Sequence, residues 1–382
     1  GTLDMDDAVG NGYNFIEYSA SGNAFLNISA GTLTVGSQIR PLTTAETGVL
    51  QYRQTGGDVR IGAQAAPEND RGMLQIYNTG SEFTYTGGTL AIERHQDAPA
   101  VAALFLDPDD SNITGSEITI FNANTPAGQN DFRINSVIDL ENLTINGANS
   151  PSAEIDINVL TINGNLTIAA GATFNGNGRT LTVAGDFDND GTYDAQSNET
   201  IFNATGTQQI TGSGSNNFFR FTKSATGILD LTSTLDVADL FTITEGTLSD
   251  NGFSINLAAD AVIDGTHTSS GGNGLVFSGG PNQELRRSSA GTGMLGTLTI
   301  NNSNGVTIPD GNGYNFTIED GLRLENGVFN VGGSVIALGE NALITPVNAF
   351  SVSNMIQTNS SFTDGGVSKT FPTGFSQDFT FP

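Results

Sequence analysis

The sequence predicts an all-β chain folded as a right-handed parallel β-helix, or β-solenoid, with an elongated outline. Short segments in which apolar and polar residues alternate recur along the 382 residues, and Gly, Asn or Asp follows each within a few positions. No segment repeats apolar residues at helical spacing over three turns. Alternation with a period of two is typical of a half-buried strand, and the residues that follow tolerate tight turns.

The strand cores share one pattern, in which Leu and Ile or Val face one side and Thr faces the other. They occur as LTVG at 33–36, LTIN at 143–146, LTIN at 160–163, LTIA at 166–169, LTVA at 181–184 and LTIN at 298–301. A strand of this length cannot bury its apolar face alone, whereas coils stacked on one another form a continuous narrow core. Roughly 20 residues per coil and a rise of about 4.8 Å per coil predict a rod of about 80–90 Å.

The pattern divides the chain into two parts. Residues 1–345 form the predicted β-helix repeats, and 37–136 are less regular than the rest. Residues 346–382 depart from the coil pattern and indicate the beginning of a following β module or a linker. Because the first residue already lies in a repeat, we expect a segment of a longer polypeptide or a mature fragment.

Asn residues in the turns have two interpretations. Asn146, Asn163, Asn175 and Asn301 each close a strand core. Equivalent Asn side chains of successive coils could stack into hydrogen-bonded ladders. Alternatively, Asn is present only because it tolerates the backbone of a turn.

Composition excludes several functional classes. Thirteen Lys and Arg against 40 Asp and Glu give a net charge of −27. Such a chain repels nucleic-acid phosphates and anionic membrane surfaces. It has no Cys, which excludes disulfides and thiolate metal sites, and no apolar run near the roughly 18 residues that span a bilayer. We therefore expect neither nucleic-acid binding nor membrane insertion.

One block of the sequence carries a family resemblance. Residues 181–210 read LTVAGDFDNDGTYDAQSNETIFNATGTQQI: a strand, GDF, a turn, a spacer, TIFN and GTQQI. The flanking segments 132–145 (FRINSVIDLENLTI) and 241–248 (FTITEGTL) fit the same scheme. The chain resembles the repeat region of large secreted β-helix surface proteins of Bacteroidota, which are adhesin-like and exported by the type nine secretion pathway.

The resemblance implies a location and partners. It implies an extracellular or outer cell-surface protein, with cell-surface or extracellular glycans or proteins and the secretion machinery of the source cell as partners.

The best candidate for a metal site is a segment rich in aspartate. Asp186, Asp188, Asp190 and Asp194, with Gly191, match positions 1, 3, 5, 9 and 6 of a calcium loop. Position 12 is Ser197 in place of the usual bidentate Glu. The segment therefore predicts a calcium site or, alternatively, a solvated acidic turn, and no other cofactor is expected.

Candidate catalytic groups are few. Asp109 and Asp110 form a carboxylate pair of the kind that glycoside hydrolases use. His95 lies near Glu93, Arg94 and Asp97, where a His–carboxylate pair could act as a general base, although strand alternation predicts that these side chains face solvent. We interpret His267 as a loop residue. None of these sets predicts a catalytic site.

The leading functional interpretation is a non-catalytic extracellular structural or adhesive rod, a segment of a larger secreted cell-surface protein. Two alternatives remain open. One is a polysaccharide-active lyase or hydrolase on a β-helix. The other is a carbohydrate-binding module, which would use outward Tyr52, Tyr77 and Tyr85.

Overall fold

Parallel strands stack coil on coil in the part of the chain that the structure describes. The computed structural model describes residues 2–5, 15–18, 21–41, 43, 45–63, 71–95, 101–288, 291–309, 314–359, 365–374 and 379. In these residues the chain is all-β without any helix, and its sheets form a β-solenoid of about 14 turns. The predicted fold class is thereby confirmed, while the right-handed sense and the elongated outline stay predictions.

The chain divides into two compact units, of which the first comprises 1–198 and 213–215. Its strands in the described residues are β1 (Thr2–Met5), β2 (Ile16–Tyr18), β3 (Asn23–Ile28), β4 (Thr32–Val35), β5 (Ile39–Pro41), β6 (Val49–Ile61), β7 (Leu74–Ile76), β8 (Glu82–Ile92), β9 (Leu104–Leu106), β10 (Asp110–Ile113), β11 (Glu117–Ile120), β12 (Phe132–Ser136), β13 (Asn142–Ile145), β14 (Ser152–Ile155), β15 (Leu160–Ile162), β16 (Leu166–Ile168), β17 (Thr173–Asn175), β18 (Leu181–Val183), β19 (Phe187–Asn189) and β20 (Thr192–Asp194).

The second unit comprises 199–212 and 216–382. Its strands in the described residues are β21 (Glu199–Phe202), β22 (Thr207–Thr211), β23 (Asn216–Lys223), β24 (Ile228–Leu231), β25 (Leu235–Ile243), β26 (Thr247–Ser249), β27 (Ile255–Leu257), β28 (Asp260–Ile263), β29 (Thr266–Thr268), β30 (Leu275–Phe277), β31 (Gln283–Arg286), β32 (Met294–Asn301), β33 (Val306–Thr307), β34 (Phe316–Gly332), β35 (Val335–Leu338), β36 (Leu343–Pro346), β37 (Asn354–Thr358) and β38 (Gly366–Lys369).

Two sheets enclose the core of the first unit. One sheet has the strand order β2-β5-β7-β9-β12-β14-β17-β20, and the other strands of this unit belong to a second sheet. Coils within 37–136 are longer than the coils that directly follow them: Arg60 contacts a residue 33 positions later, whereas Asn165 contacts one 21 positions later. In the second unit β37 pairs in parallel with β34, and β38 with β35, beyond residue 346. The module boundary proposed there stays a prediction.

The predicted strand cores fill the interior. Leu143 aligns with Leu166, and Leu166 with Phe187, so the same inward position repeats from coil to coil. All three side chains are fully buried. Aromatic rings stack in the same way in the second unit, where the Phe221 and Phe241 ring centroids lie 5.3 Å apart. These side chains lie in the core because alternate residues of a strand face the same side, as the sequence predicts.

Asn does form a ladder, but not at the predicted positions. The ladder lies one residue before the strand core. Asn142 Oδ1 accepts the backbone N–H of Asn165 at 2.8 Å, and Asn165 Oδ1 accepts that of Asp186 at 2.8 Å. The predicted Asn146 and Asn175 instead accept N–H groups two residues later in their own turns. Those two residues fit the turn interpretation.

A second set of Asn side chains joins coils at left-handed turns. Asn149, Asn177 and Asn251 have φ angles of 64°, 48° and 51°, which Asn tolerates better than most residues. Each donates its Nδ2–H to a carbonyl of the preceding coil. The pairs are Asn149 with Thr125 (2.6 Å), Asn177 with Ile155 (2.9 Å) and Asn251 with Leu231 (3.1 Å). This contact explains Asn in preference to Gly at these turns.

Candidate functional site

The four aspartates predicted to bind calcium lie on two strands and in their flanking turns. Asp188 is the central residue of β19 and points outward, since the residues on either side of it are buried. Asp186 and Asp190 flank that strand. Asp194 ends β20, which belongs to the other sheet.

Asp190 has a partner within the first unit. Its Oδ1 accepts the Ser213 backbone N–H at 2.8 Å and the Ser213 hydroxyl at 2.9 Å. These two hydrogen bonds hold the pKa of the exposed Asp190 carboxyl below its usual value. One carboxylate of the four therefore already fastens a turn.

The strand geometry bears on metal binding. A calcium loop wraps around its ion, whereas alternate residues of a strand lie about 6.6 Å apart along one face. Within the described part of the chain, no three Asp, Glu or His side chains gather in a way that could hold a metal ion. Calcium binding by Asp186, Asp188, Asp190 and Asp194 stays a prediction.

The carboxylate pair at 109–110 takes part in coil stacking. Asp109 Oδ2 accepts the backbone N–H of Gly80 at 2.6 Å. Asp110 begins β10, where it aligns with Glu82 of the neighbouring coil. Both aspartates are exposed. Both residues of the pair therefore lie where two neighbouring coils contact each other.

His267 is not a loop residue, and that interpretation was wrong. It lies in β29, where its side chain is 1% exposed, because alternation turns it toward the core. Its Nε2 lies 3.1 Å from Asp250 Oδ2, and its Nδ1 accepts the Gly296 backbone N–H at 3.3 Å. Accepting at Nδ1 leaves the proton on Nε2, which donates to Asp250.

A buried polar cluster surrounds this histidine. Asp250 is fully buried and also accepts hydrogen bonds from the Ser269 hydroxyl and the Gly252 backbone N–H. Ser269 Oγ in turn accepts the Thr297 N–H at 2.9 Å. The serine therefore donates to the aspartate and not to His267, which is not the arrangement that activates a nucleophile.

The pKa of Asp250 is set by opposing causes. Burial raises it, because the charged form loses its hydration. Hydrogen bonds from His267, Ser269 and the Gly252 N–H favour the charged form and outweigh burial, so the pKa is lowered overall. Asp250 is therefore a charged residue within the second unit.

The side chains near His95 also make contacts between neighbouring coils. Glu93 is 1% exposed, so the predicted solvent-facing position was wrong for this residue. Its carboxylate pairs with Arg60 at 2.6 and 3.1 Å and accepts the Asn122 amide at 2.6 Å. His95 Nδ1 lies 2.9 Å from Gln129 Oε1. Asp97, the fourth member of the predicted set, lies outside the described residues.

The tyrosines proposed as sugar platforms are mostly internal. Tyr52 and Tyr85 are fully buried, which contradicts the prediction, and Tyr77 is half-buried. Tyr52 stacks on Phe83 with the ring centroids 5.2 Å apart. Burial raises the pKa of Tyr85 to about 12. The signal was present in the sequence, since Phe83 and Tyr85 alternate with Thr and must share a face.

The second unit contains a buried lysine that we did not predict from the sequence. Lys223 ends β23 on the same face as Phe221, and its side chain is fully buried. Its Nζ donates to the carbonyls of Ser224 and Ala225 at 2.6 and 2.8 Å. Burial lowers its pKa, and the nearby Glu245 carboxylate opposes that effect. Strand alternation with Phe221 could have identified it.

A surface hollow of about 280 Å³ lies at a corner of the second unit. Its lining includes the polar side chains of Asn217, Asp236 and Asn256, which we call its wall, and the small side chains of Ala238 and Ala258, which we call its base. A second hollow, of about 360 Å³, begins at Ala258 and is lined by Asp239, Asp260 and Asn282 among others. We call the two hollows together the corner groove.

The corner groove results from unequal corner lengths. Between β27 and β28 the corner is only Ala258 and Ala259, whereas between β30 and β31 it comprises residues 278–282. Small residues in the short corner, next to a longer corner in the following coil, leave the space unfilled. Strand alternation alone did not predict this feature, because corner lengths vary independently of the strand cores.

No helix long and apolar enough to cross a membrane occurs in the described residues. No protein-family model matches the chain, and comparisons with curated proteins and with solved structures find no similar protein.

Proposed function

We propose that this chain is a segment of a larger secreted cell-surface protein and acts there as a non-catalytic structural and adhesive rod. The proposal includes a location on the outer cell surface, export by the type nine pathway of a member of the Bacteroidota, and extracellular glycans or proteins as partners. The resemblance of residues 181–210 and their flanks supports these finer points.

The observation that carries the proposal is the use of the chemically capable side chains for coil contacts. His267 and Asp250 are buried and bonded to one another, and Glu93 is enclosed by Arg60 and Asn122. A general acid or base must reach the proton that it transfers. Side chains enclosed in this way favour a scaffold over a catalyst.

The net charge of −27 agrees with an adhesive scaffold. Exposed sheet edges and faces invite pairing with other strands, and like charges oppose that association. The same charge disfavours acidic polysaccharides as ligands, because their carboxylates would be repelled. Neutral surfaces are therefore the partners that the charge allows best.

A turnover screen tests the non-catalytic function. The full chain is incubated with plant, algal and bacterial polysaccharides, and products are read as reducing ends and as the ultraviolet absorbance of unsaturated sugars. We expect neither signal above the blank, because Asp109 and Asp110 are both exposed, and two carboxyl groups in similar surroundings do not take the separate roles of acid and base.

Variants of the acid pair identify the source of any activity. Turnover that disappears in Asp109→Asn or Asp110→Asn but survives in the neighbouring Asp107→Asn would replace the scaffold with a glycoside-cleaving enzyme. Turnover that survives in all three variants would equally contradict a non-catalytic function and would assign the chemistry to another part of the chain.

A further inference from the structure

The wall of the corner groove is a straight rank of polar side chains. Asn217 aligns with Asp236, and Asp236 aligns with Asn256, on three successive coils. Their strand neighbours Phe218 and Val237 point inward and are buried, so the three polar side chains point outward. Neighbouring strands lie about 4.8 Å apart, which repeats a polar group along the wall at that interval.

The polar side chains of this rank can form further hydrogen bonds with a ligand. Asn256 Nδ2 donates to Asp236 Oδ1 at 2.7 Å, which orients the carboxylate. A carboxylate has a second oxygen that can accept further hydrogen bonds. Among the residues that the structure describes, the Asn217 side-chain amide makes no hydrogen bond, whereas that of its buried neighbour Asn216 donates to Ser233 Oγ. One carboxylate and two amides together can accept from and donate to several hydroxyl groups.

The charges around the corner groove favour an uncharged ligand. Asp239 pairs with Arg220 at 2.5 Å, and Asp260 lies 3.4 Å from Arg286, so these two carboxylates are compensated. Asp236 alone carries an uncompensated charge, which repels an anion but is too little to hold a divalent cation or a basic peptide. A ligand rich in hydroxyl groups matches this set.

The base of the corner groove is apolar. Ala238 and Ala258 are exposed and present methyl groups beside the polar wall. Binding sites for small molecules combine apolar surface with a few polar groups that fix orientation. A sugar ring offers the matching pair of features, with hydroxyls at its edge and C–H groups on its faces.

We propose that the corner groove binds a neutral oligosaccharide along the rank Asn217–Asp236–Asn256. The inference rests on the adhesive part of the proposed function and names the ligand class and the site. Asp236 accepts hydroxyl hydrogens at the centre, the two amides bind on either side, and the alanines contact the faces of the ring.

A binding experiment with defined oligosaccharides tests this site. The full chain is titrated with neutral hexasaccharides of glucose, mannose, xylose and galactose, and with a hexagalacturonide as the anionic comparison, in the calorimeter at millimolar ligand. We expect binding of at least one neutral hexasaccharide and none of the anionic one. Asp236→Ala should weaken that binding at least about tenfold, a change of about 1.4 kcal/mol.

Two further variants separate the site from the fold. Ala258→Trp fills the groove with an exposed side chain and should abolish binding while the melting temperature stays near that of the wild type. Asp230→Ala removes an outward carboxylate of β24, outside the groove, and should leave affinity unchanged.

Several outcomes overturn the inference. They are no binding of any neutral hexasaccharide, preferential binding of the anionic one, or binding unaffected by both Asp236→Ala and Ala258→Trp. These outcomes contradict the ligand site and leave the scaffold function standing. Release of reducing ends in the same mixtures would instead contradict the non-catalytic function, so the two failures are distinguishable.

Discussion

Two carboxylates inside the coils, those of Glu93 and Asp250, are each held by several partners. Moving a carboxylate out of water costs several kcal/mol unless hydrogen bonds and opposite charges replace its hydration. Glu93 receives Arg60 and Asn122, and Asp250 receives His267 and Ser269. These contacts join residues 17–33 positions apart and therefore act between coils.

Asp250 offers a test at the level of one residue. Asp250→Ala removes a buried acceptor and leaves His267, Ser269 and the Gly252 N–H without their partner, so we expect a loss of about 3 kcal/mol in the free energy of unfolding. Chemical denaturation at pH 7 measures it. Asp230→Ala, on an outward position of the same unit, should change the free energy by less than about 0.5 kcal/mol.

The pH dependence of stability supplies a second readout for Asp250. Its pKa is lower in the folded chain than the value of about 3.9 expected when unfolded. The contribution of the charged carboxylate is therefore complete above that value and is lost as the pH falls through the folded pKa. Asp250→Asn should flatten this acid-side decline, and an identical decline in wild type and variant would contradict the assignment.

Individual elements are fastened by the Asn142–Asn165–Asp186 ladder. Each Asn side chain passes over a glycine of the next coil: a Cβ at Gly164 would lie 2.4 Å from Asn142 Oδ1, and one at Gly185 would lie 2.4 Å from Asn165 Oδ1. The pairing of Gly with the following ladder residue is thus a steric requirement. The ladder connects the first residue of β13 with the residues directly before β16 and β19.

Removing one rung tests the ladder. Asn165→Ala leaves the Asp186 N–H without its acceptor, and we expect a loss of about 1 kcal/mol in the free energy of unfolding. Asn163→Ala, two residues earlier and exposed, should cost much less. Gly164→Ala should cost at least as much as Asn165→Ala, because its methyl group displaces the Asn142 side chain. Equal effects of Asn163→Ala and Asn165→Ala would contradict a special role for the ladder.

Some features of the strands and turns could be predicted from the sequence, and others could not. Alternation placed Leu166 and Ile168 in the core because period two depends only on the strand. The same alternation places Tyr85, Lys223 and His267 there too, although we expected Tyr85 to point outward and His267 to lie in a loop. The ladder had a signal as well, since Asn stands directly before LTI at both 142 and 165. The corner groove had no such signal in the sequence. It arises from the lengths of the corners between strands, which become known only when the strand bounds and their pairing are known.

At the scale of the whole molecule, the central feature is the parallel, in-register stacking of the coils. Every function proposed above depends on it, because register is what aligns Asn217, Asp236 and Asn256 into one rank and Asn142 with Asn165 into a ladder. A slip by one residue would turn each outward side chain inward and bury its polar group. Register is therefore the property to measure.

Spin labelling measures it directly, because the chain contains no cysteine that would compete for the label. Thr144 and Thr167 are register partners in β13 and β16, and nitroxides on Thr144→Cys/Thr167→Cys should show strong dipolar broadening in frozen solution. Thr161 is closer to Thr144 in sequence but aligns with Thr182, so Thr144→Cys/Thr161→Cys should show much weaker broadening. Equal broadening in the two pairs, or stronger broadening in the second, would contradict the stacked, in-register solenoid.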